Sequence, residues 1–346
     1  MKKFFLINIT LILFWSCTEE PVKTVFADLD TKRGVYIACE GNFMYGNGSL
    51  SFYNSEKLKV TNQLFYGINN TPPGDVVQSL SLYNEKLYIV VNNSGKIYSV
   101  NAETVEFESV ITGLSSPRYI HFVSEEKAYI SDLYADHITI IDPASSEITG
   151  QISTQDHSSE QMVQIGSEIY VSSWSYDKYI LVIDSEKDEM ITKIEVPFQP
   201  GDLVVDKNDK IWVLSDGGNA FAASGAVDPA LSRIDPMTRT IEQIYHFDDS
   251  AHPSGLELNS SLDTLFFING DIYKMPVTAR NLPDSSFIKA GNRNFYSLAV
   301  NPDNDEIYVA DAIDYAQDAM VFRYSGSGAL IDSFITGINP SDFLFR

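Results

Sequence analysis

Cysteine is nearly absent from this chain: its 346 residues include only Cys17 and Cys39. A dense disulfide framework is therefore excluded, and the fold must stand on its buried core. Cys39 follows Tyr36-Ile37-Ala38 and reads as a small buried apolar residue, with no base partner in view to activate it. Basic residues are also scarce, with 24 Lys and Arg against 47 Asp and Glu and a net charge of -23. Such a surface repels nucleic acid and anionic lipid head groups. Proline and glycine are sparse at 14 and 20, and 44% of the residues are hydrophobic, which excludes disorder beyond the start of the chain. No Gly-rich phosphate loop and no long helical period occurs, which argues against a doubly wound α/β fold. The histidines (His121, His137, His157, His246, His252) are scattered without HExxH or any other metal-ligand spacing, and no GxSxG elbow is present. The residues name no catalytic group and no metal site.

What the chain does contain is a repeat. Between Ile169 and Ser215 four short runs, Ile169-Tyr170-Val171, Ile180–Asp184, Ile191–Val196 and Leu203–Asp206, are rich in β-branched and aromatic residues. They are bounded by Gly, Pro, Asn, Asp or Ser, and Ile211-Trp212-Val213 then restates the opening. This is the pattern of short antiparallel strands. The aromatic anchor recurs at Tyr36, Tyr88, Tyr129, Tyr170, Trp212, Phe266 and Tyr308, with gaps of 52, 41, 41, 42, 54 and 42 residues. A period of roughly 40–45 residues holding four strands is that of a β-propeller blade. The sequence thus predicts an all-β, seven-bladed β-propeller with four-stranded antiparallel blades. The long gaps are loop insertions, where extra length costs little. Blade 1 offers three strands, Val35–Cys39, Ser49–Tyr53 and Val60–Phe65. The last residues, Pro340-Ser341-Asp342-Phe343, repeat the turn and strand that open other blades, as in Pro200-Gly201-Asp202-Leu203. The C-terminal strand is therefore expected to supply the missing inner strand and close the ring, protecting sheet edges.

The N-terminus stands apart. Lys2 and Lys3 precede an apolar run, Phe4 to Trp15, too short to span a bilayer, which reads as a signal peptide over residues 1–16. Phe14-Trp15-Ser16-Cys17 resembles a bacterial lipobox, which implies lipidation of Cys17. Thr18-Glu19-Glu20 resembles the surface-export signal of Bacteroidetes lipoproteins. Residues 17–33 then read as a lipidated tether and 34–346 as the propeller.

Leu87-Tyr88-Ile89-Val90-Val91-Asn92-Asn93 and Ile180-Leu181-Val182-Ile183-Asp184 look like YVTN-type propeller repeats. The opening Gly34-Val35-Tyr36-Ile37-Ala38-Cys39-Glu40-Gly41-Asn42-Phe43, with Gly48-Ser49-Leu50-Ser51-Phe52-Tyr53 after it, is similar to a group of Bacteroidetes lipoproteins of this fold. That resemblance implies an outer-membrane, surface-exposed lipoprotein held to the membrane by its lipid anchor only. It also implies capture of cobalamin or a ferric siderophore and delivery to a TonB-dependent transporter.

The loops between second and third strands, with those entering each first strand, share one face of a propeller. That face gathers large aromatics: Phe43, Met44 and Tyr45 from blade 1, Tyr134 from blade 3, Trp174, Tyr176 and Tyr179 from blade 4, Phe221 from blade 5 and Tyr315 from blade 7. Such rings in loops are candidate binding surface. The expected ligand-binding set is Phe43, Tyr45, Tyr134, Trp174, Tyr176, Asp216, Phe221, Asp311 and Tyr315, with the two aspartates orienting a polar ligand. Long loops 216–232, 312–319 and 41–48 flank the tight Asn269-Gly270-Asp271 turn of blade 6, predicting a notch open to the channel. Aspartates such as Asp75, Asp132, Asp202, Asp311 and Asp342 form a ring at the mouth that could hold calcium in the channel, although such residues more often cap turns. The acidic balance favours a neutral or cationic ligand, and hence a corrinoid over an anionic siderophore, unless Arg118, Lys289 and Arg293 gather. An enzyme is not expected. A propeller hydrolase or lyase acting on an extracellular glycan or lactone is the alternative, and a structural interaction scaffold a third.

Overall fold

The computed structural model describes residues 29–218 and 229–346. Signal peptide residues 1–16, Cys17 and Phe221 lie outside them. Seven antiparallel sheets follow one another around a ring, six of four strands and one of three. Every aromatic anchor sits in the second strand of its blade and is buried. The reason is visible in the packing. The described hydrophobic core consists of seven clusters, one at each junction between consecutive blades. Side chains alternate across a strand, so the second strand of blade 1, Val35–Cys39, sends Tyr36 and Ala38 towards blade 2 and Val35, Ile37 and Cys39 towards blade 7. These strands are buried on both faces, which is why they read as unbroken apolar runs.

The anchor recurs because its ring fills a junction in every blade, and in several its polar tip also reaches the next blade. The hydroxyl of Tyr36 donates to the carbonyl of Ala102 at 2.7 Å, that of Tyr88 to Pro143 at 3.3 Å and that of Tyr170 to Pro236 at 3.2 Å. Each acceptor lies in the turn between third and fourth strands of the next blade. The ring fills the junction, and its polar tip satisfies a carbonyl that burial would otherwise orphan. In blade 5 Trp212 Nε1 donates instead to Asp206 at 2.9 Å.

The ring closes as expected. Pro340–Phe345 pairs antiparallel with Val35–Cys39 and becomes the inner strand of blade 1. Across the seam, Asp342 Oδ2 accepts from the Leu80 amide of blade 2 at 2.7 Å. Ser341 Oγ donates to the Gln78 carbonyl at 3.0 Å. Two local expectations fail. The third strand of blade 1 runs only from Lys59 to Thr61, and Leu64–Asn69 is a short helix. Leu64 and Phe65 are drawn inward to fill the junction with blade 2, and Asn69 Nδ2 donates to Val105 O, so tertiary packing overrides strand propensity. Blade 6 has three strands, and its fourth is reduced to a single bridge between Ile272 and Ile288. Pro276 ends the third strand, and Pro283 follows in the connecting segment; neither can donate to a ladder. The segment before the propeller also differs from a free tether at its end, because Leu29 packs on the core and fully buried Thr31 donates to Glu103 O at 2.8 Å.

Removing Ser341–Arg346 would expose the inner face of blade 1 and take buried Phe343 from its junction with blade 7. Loss of that ring alone costs about 3–5 kcal/mol. Thermal melting followed by circular dichroism is expected to show a midpoint well below that of the intact chain. An unchanged midpoint would rule out closure by this strand.

Candidate functional site

The inner strands are not regular. In six blades the pairing between first and second strands slips near its start, at Val77/Ser79, Pro117/Ile120, Pro200/Asp202, Ser254/Glu257, Phe295/Ser297 and Pro340/Asp342. The residues left out of register are Gln78, Arg118 with Tyr119, Gly201, Gly255 with Leu256, Tyr296 and Ser341. A bulge of this kind re-aims side chains. Here it turns them into the channel, where they line two adjoining cavities. The larger, of about 380 Å³, is walled by Glu40, Gln78, Arg118, Tyr119, Gln161, Asp202, Glu257, Tyr296 and Asp342 among others. The smaller, of about 190 Å³, adds Glu160, Leu214 and Asp216, and Trp174 borders both.

The electrostatics are lopsided. Among the described residues Arg118 is the one cation lining the cavities, and it is already engaged: its Nε donates to Glu160 Oε2 at 2.7 Å and its Nη1 to Gln78 Oε1. Glu160 is only 4% exposed, and burial raises its carboxyl pKa even though Arg118 pulls it down. Glu40 is raised by desolvation, opposed by the Tyr296 hydroxyl that donates to it at 2.7 Å. Asp202 is raised by burial against backbone bonds from Leu256 and Gly255, and Asp342 is pushed up to about 6 by burial. Glu257 rises furthest above the usual carboxylate range, through burial and then the nearby charges of Asp202 and Asp342. Because the Asp342 value in the fold exceeds the unfolded one, its charge opposes folding. The penalty begins as pH passes the ordinary aspartate range and is complete above about pH 6.

The aspartate ring does not converge on an ion. Asp75 accepts from the Met44 amide and from Asn93, Asp132 from the amides of Ser115, Ser116, Tyr134 and Ala135, and Asp311 from those of Asn294 and Ile313. These are turn caps. Among the described residues no three His, Cys, Asp or Glu side chains group so as to hold a metal ion. Cys39 is fully buried with its thiol pushed up to about 11 by desolvation, so it is an inert core residue.

The aromatic residues expected to bind divide into groups. Trp174 and Asp216 are joined, Nε1 donating to Oδ2 at 2.9 Å, and together wall the smaller cavity. Tyr315 packs edge-on against Tyr296, a channel residue, with ring centroids 5.8 Å apart. Asn42 Nδ2 donates to Tyr315 O at 2.8 Å and so ties the blade 1 loop of Phe43 and Tyr45 to blade 7. Phe43, Tyr45, Tyr134, Tyr176 and Tyr315 are 64%, 80%, 76%, 72% and 50% exposed. Tyr134 borders a separate hollow of about 300 Å³ with Asp136, Asp156 and His157. Asp311 is buried as a turn cap rather than presented to the mouth. Arg293 lies over the Phe322 ring, away from Arg118, so no basic patch forms between them. Sequence reasoning did not find Gln78, Tyr119, Gln161, Glu257 or Tyr296. The signal available was polar or glycine residues just inside each inner strand, where a buried sheet should be apolar.

The Arg118–Glu160 pair is testable on its own. Arg118→Leu leaves Glu160 buried and unpaired, and urea unfolding should show a loss of about 3–5 kcal/mol. Adding Glu160→Leu should restore most of it. A single variant as stable as the wild type would mean that the pair is not buried as described.

The family described as a domain of unknown function, DUF5074, matches residues 33–333. No curated protein matches the chain. Among solved structures it is similar to a quinonprotein alcohol dehydrogenase-like protein from Bacteroides thetaiotaomicron, at 16% identity over 91% of this chain and 78% of that one, with a TM-score of 0.70. A periplasmic gluconolactonase from Pseudomonas aeruginosa aligns at 12% identity over 90% and 99% of the two chains, with a TM-score of 0.64. A WD40 domain from Neurospora crassa aligns at 13% over 81% and 82%, with 0.61. At such identities the likeness is one of fold. The chain belongs to the family of DUF5074 domains.

Proposed function

We propose that this protein is a binding protein of the cell surface. It is anchored to the outer membrane through lipid on Cys17 and captures a scarce small molecule, corrinoid-like or a metal chelate, for a TonB-dependent transporter. What supports the reading is the hydrogen bond joining Trp174 to Asp216 at the wall of a polar channel, together with the exposed rings of Phe43, Tyr45, Tyr176 and Tyr315. Flat rings of this size lose little side-chain entropy on binding and bury much area. A corrinoid macrocycle is too large for a cavity of about 380 Å³. It would cover the mouth against the rings and send peripheral polar groups inward. The net charge of -23 disfavours a trianionic ferric catecholate at the same place.

A second reading, a propeller hydrolase or lyase, draws on one specific feature. Burial, with the nearby charges of Asp202 and Asp342, raises the Glu257 carboxyl well above the ordinary range inside a cavity, the direction a general acid needs. The gluconolactonase of similar fold acts, by its name, on a lactone.

Calorimetric titration of the wild type, Trp174→Ala and Tyr315→Ala with cobalamin, a corrinoid precursor and ferric siderophores separates these. Binding by the wild type is expected, with each substitution costing about 2 kcal/mol or roughly 30-fold in affinity. Binding unaffected by either change would place the ligand elsewhere, and no binding at all would leave lactone and glycan turnover as the assay to run. For the anchor, Cys17→Ser is expected to release the protein from washed outer membranes; retention would overturn lipidation at that residue.

A further inference from the structure

We infer that the channel beneath the aromatic rim is a site for an organic ammonium group: the ligand taken up there carries a primary amine or guanidinium that enters between Glu257, Asp202 and Asp342. The inference rests on the binding reading for the identity of the whole ligand, but not for the channel itself.

Charge is the first ground. Six carboxylates, those of Glu40, Glu160, Asp202, Asp216, Glu257 and Asp342, line the two joined cavities against Arg118 alone. Arg118 is bonded to Glu160 and Gln78 and its charge also reaches Glu40, which leaves Asp202, Glu257 and Asp342 without a cation of their own among the described residues. An anion entering this space meets no free donor cation. Unsatisfied acceptors are the second ground. Glu160 is 4% exposed and its Oε1 has no hydrogen-bond partner, although it borders the smaller cavity. Glu257 lines the larger cavity with no side-chain hydrogen bond or ion pair from any described residue, and burial first, then the nearby charges of Asp202 and Asp342, raise its carboxyl. Buried polar atoms are nearly always paired. The partner missing from Glu160 Oε1 is a donor, and for Glu257, half-buried at the cavity wall, a cationic donor gains most in a confined space of this sign.

Shape and wall chemistry then choose between a metal ion and an organic cation. The carboxylates stand around a volume of about 380 Å³, and among the described residues no three His, Cys, Asp or Glu side chains group so as to hold a metal ion. Tyr119, Trp174 and Tyr296 complete the wall. Aromatic faces attract ammonium and guanidinium groups, whose several donors can reach separated acceptors at once. A neutral hydroxyl compound would satisfy the acceptors without using the charge.

The test uses the purified protein with 1,4-diaminobutane, the uncharged isostere 1,4-butanediol and calcium chloride, by titration calorimetry at neutral pH. The diamine is expected to bind and the diol not to. Glu257→Gln, which keeps size and removes charge, should weaken the diamine by about 30-fold, and Asp342→Asn should weaken it as well. Melting curves on both variants confirm that they are folded. Equal binding of diol and diamine, diamine binding indifferent to both substitutions, calcium displacing the diamine stoichiometrically, or no diamine binding would each overturn the inference. Should the diamine depend on Glu257 while no corrinoid or siderophore binds, the channel site stands and the nutrient named above falls. Should a corrinoid bind through Trp174 with no effect of Glu257→Gln and no diamine binding, the reverse holds.

Discussion

The structure depends on a constraint that no single blade can meet: its second strand is apolar on both faces and needs a neighbour on each side. Tyr36 and Ile37 are adjacent residues, yet they belong to different core clusters on opposite sides of blade 1. Stability is therefore distributed over seven junctions, and the ring is cooperative only if the last is made. That final junction is supplied by Pro340–Phe345, so the two ends of the described chain are held together by sheet pairing and by mutual hydrogen bonds between Gly34 and Arg346.

The same closure dictates where polarity can go. Around the channel the inner strands come close, and their peptide groups must find partners in the next blade rather than in a sheet. Gln161 accepts from the Leu203 amide, Asp202 from Leu256 and Asp342 from Leu80, each reaching one blade onward. Ser79, Ser172 and Ser297 hydroxyls donate to the carbonyls of Arg118, Gly201 and Pro340 in the same way. Polar residues on these strands are thus partly structural, stitching the ring from inside. The bulge that recurs beside them frees the neighbouring residues from the ladder and lets them face the cavity.

Much of the architecture was legible because one physical demand repeats. A large ring is needed at every junction, so Tyr, Trp or Phe returns at blade spacing, and the count of anchors is the count of blades. The helix at Leu64–Asn69 and the short blade 6 were not legible, since each is decided by what the next blade leaves unfilled rather than by local propensity. At the candidate site the exposed rings were visible in the sequence because loops punctuate it clearly. Trp174 and Asp216 were named separately, but their bond to one another was not, being a contact across 42 residues. The channel residues escaped notice because a bulge shifts register by one. Under a period of two, that converts an expected core position into a cavity position without any change of composition.

Glu257, Asp202 and Asp342 bear on function through what they cost. A channel lined with apolar side chains would pack the same ring at lower free energy, since buried ionisable groups lose hydration that few partners here restore. Asp202 and Asp342 each recover part of that loss by capping the next blade. Glu257 recovers none: it caps no amide and meets no cation, and its two nearest charged neighbours share its sign. Residues that break the local rule without a compensating contact are where function is expected to reside. Within this chain that criterion singles out the floor of the channel rather than its rim, and it separates the two halves of the site. The exposed rings provide area that many ligands could use, whereas the uncompensated carboxyl selects among them by charge.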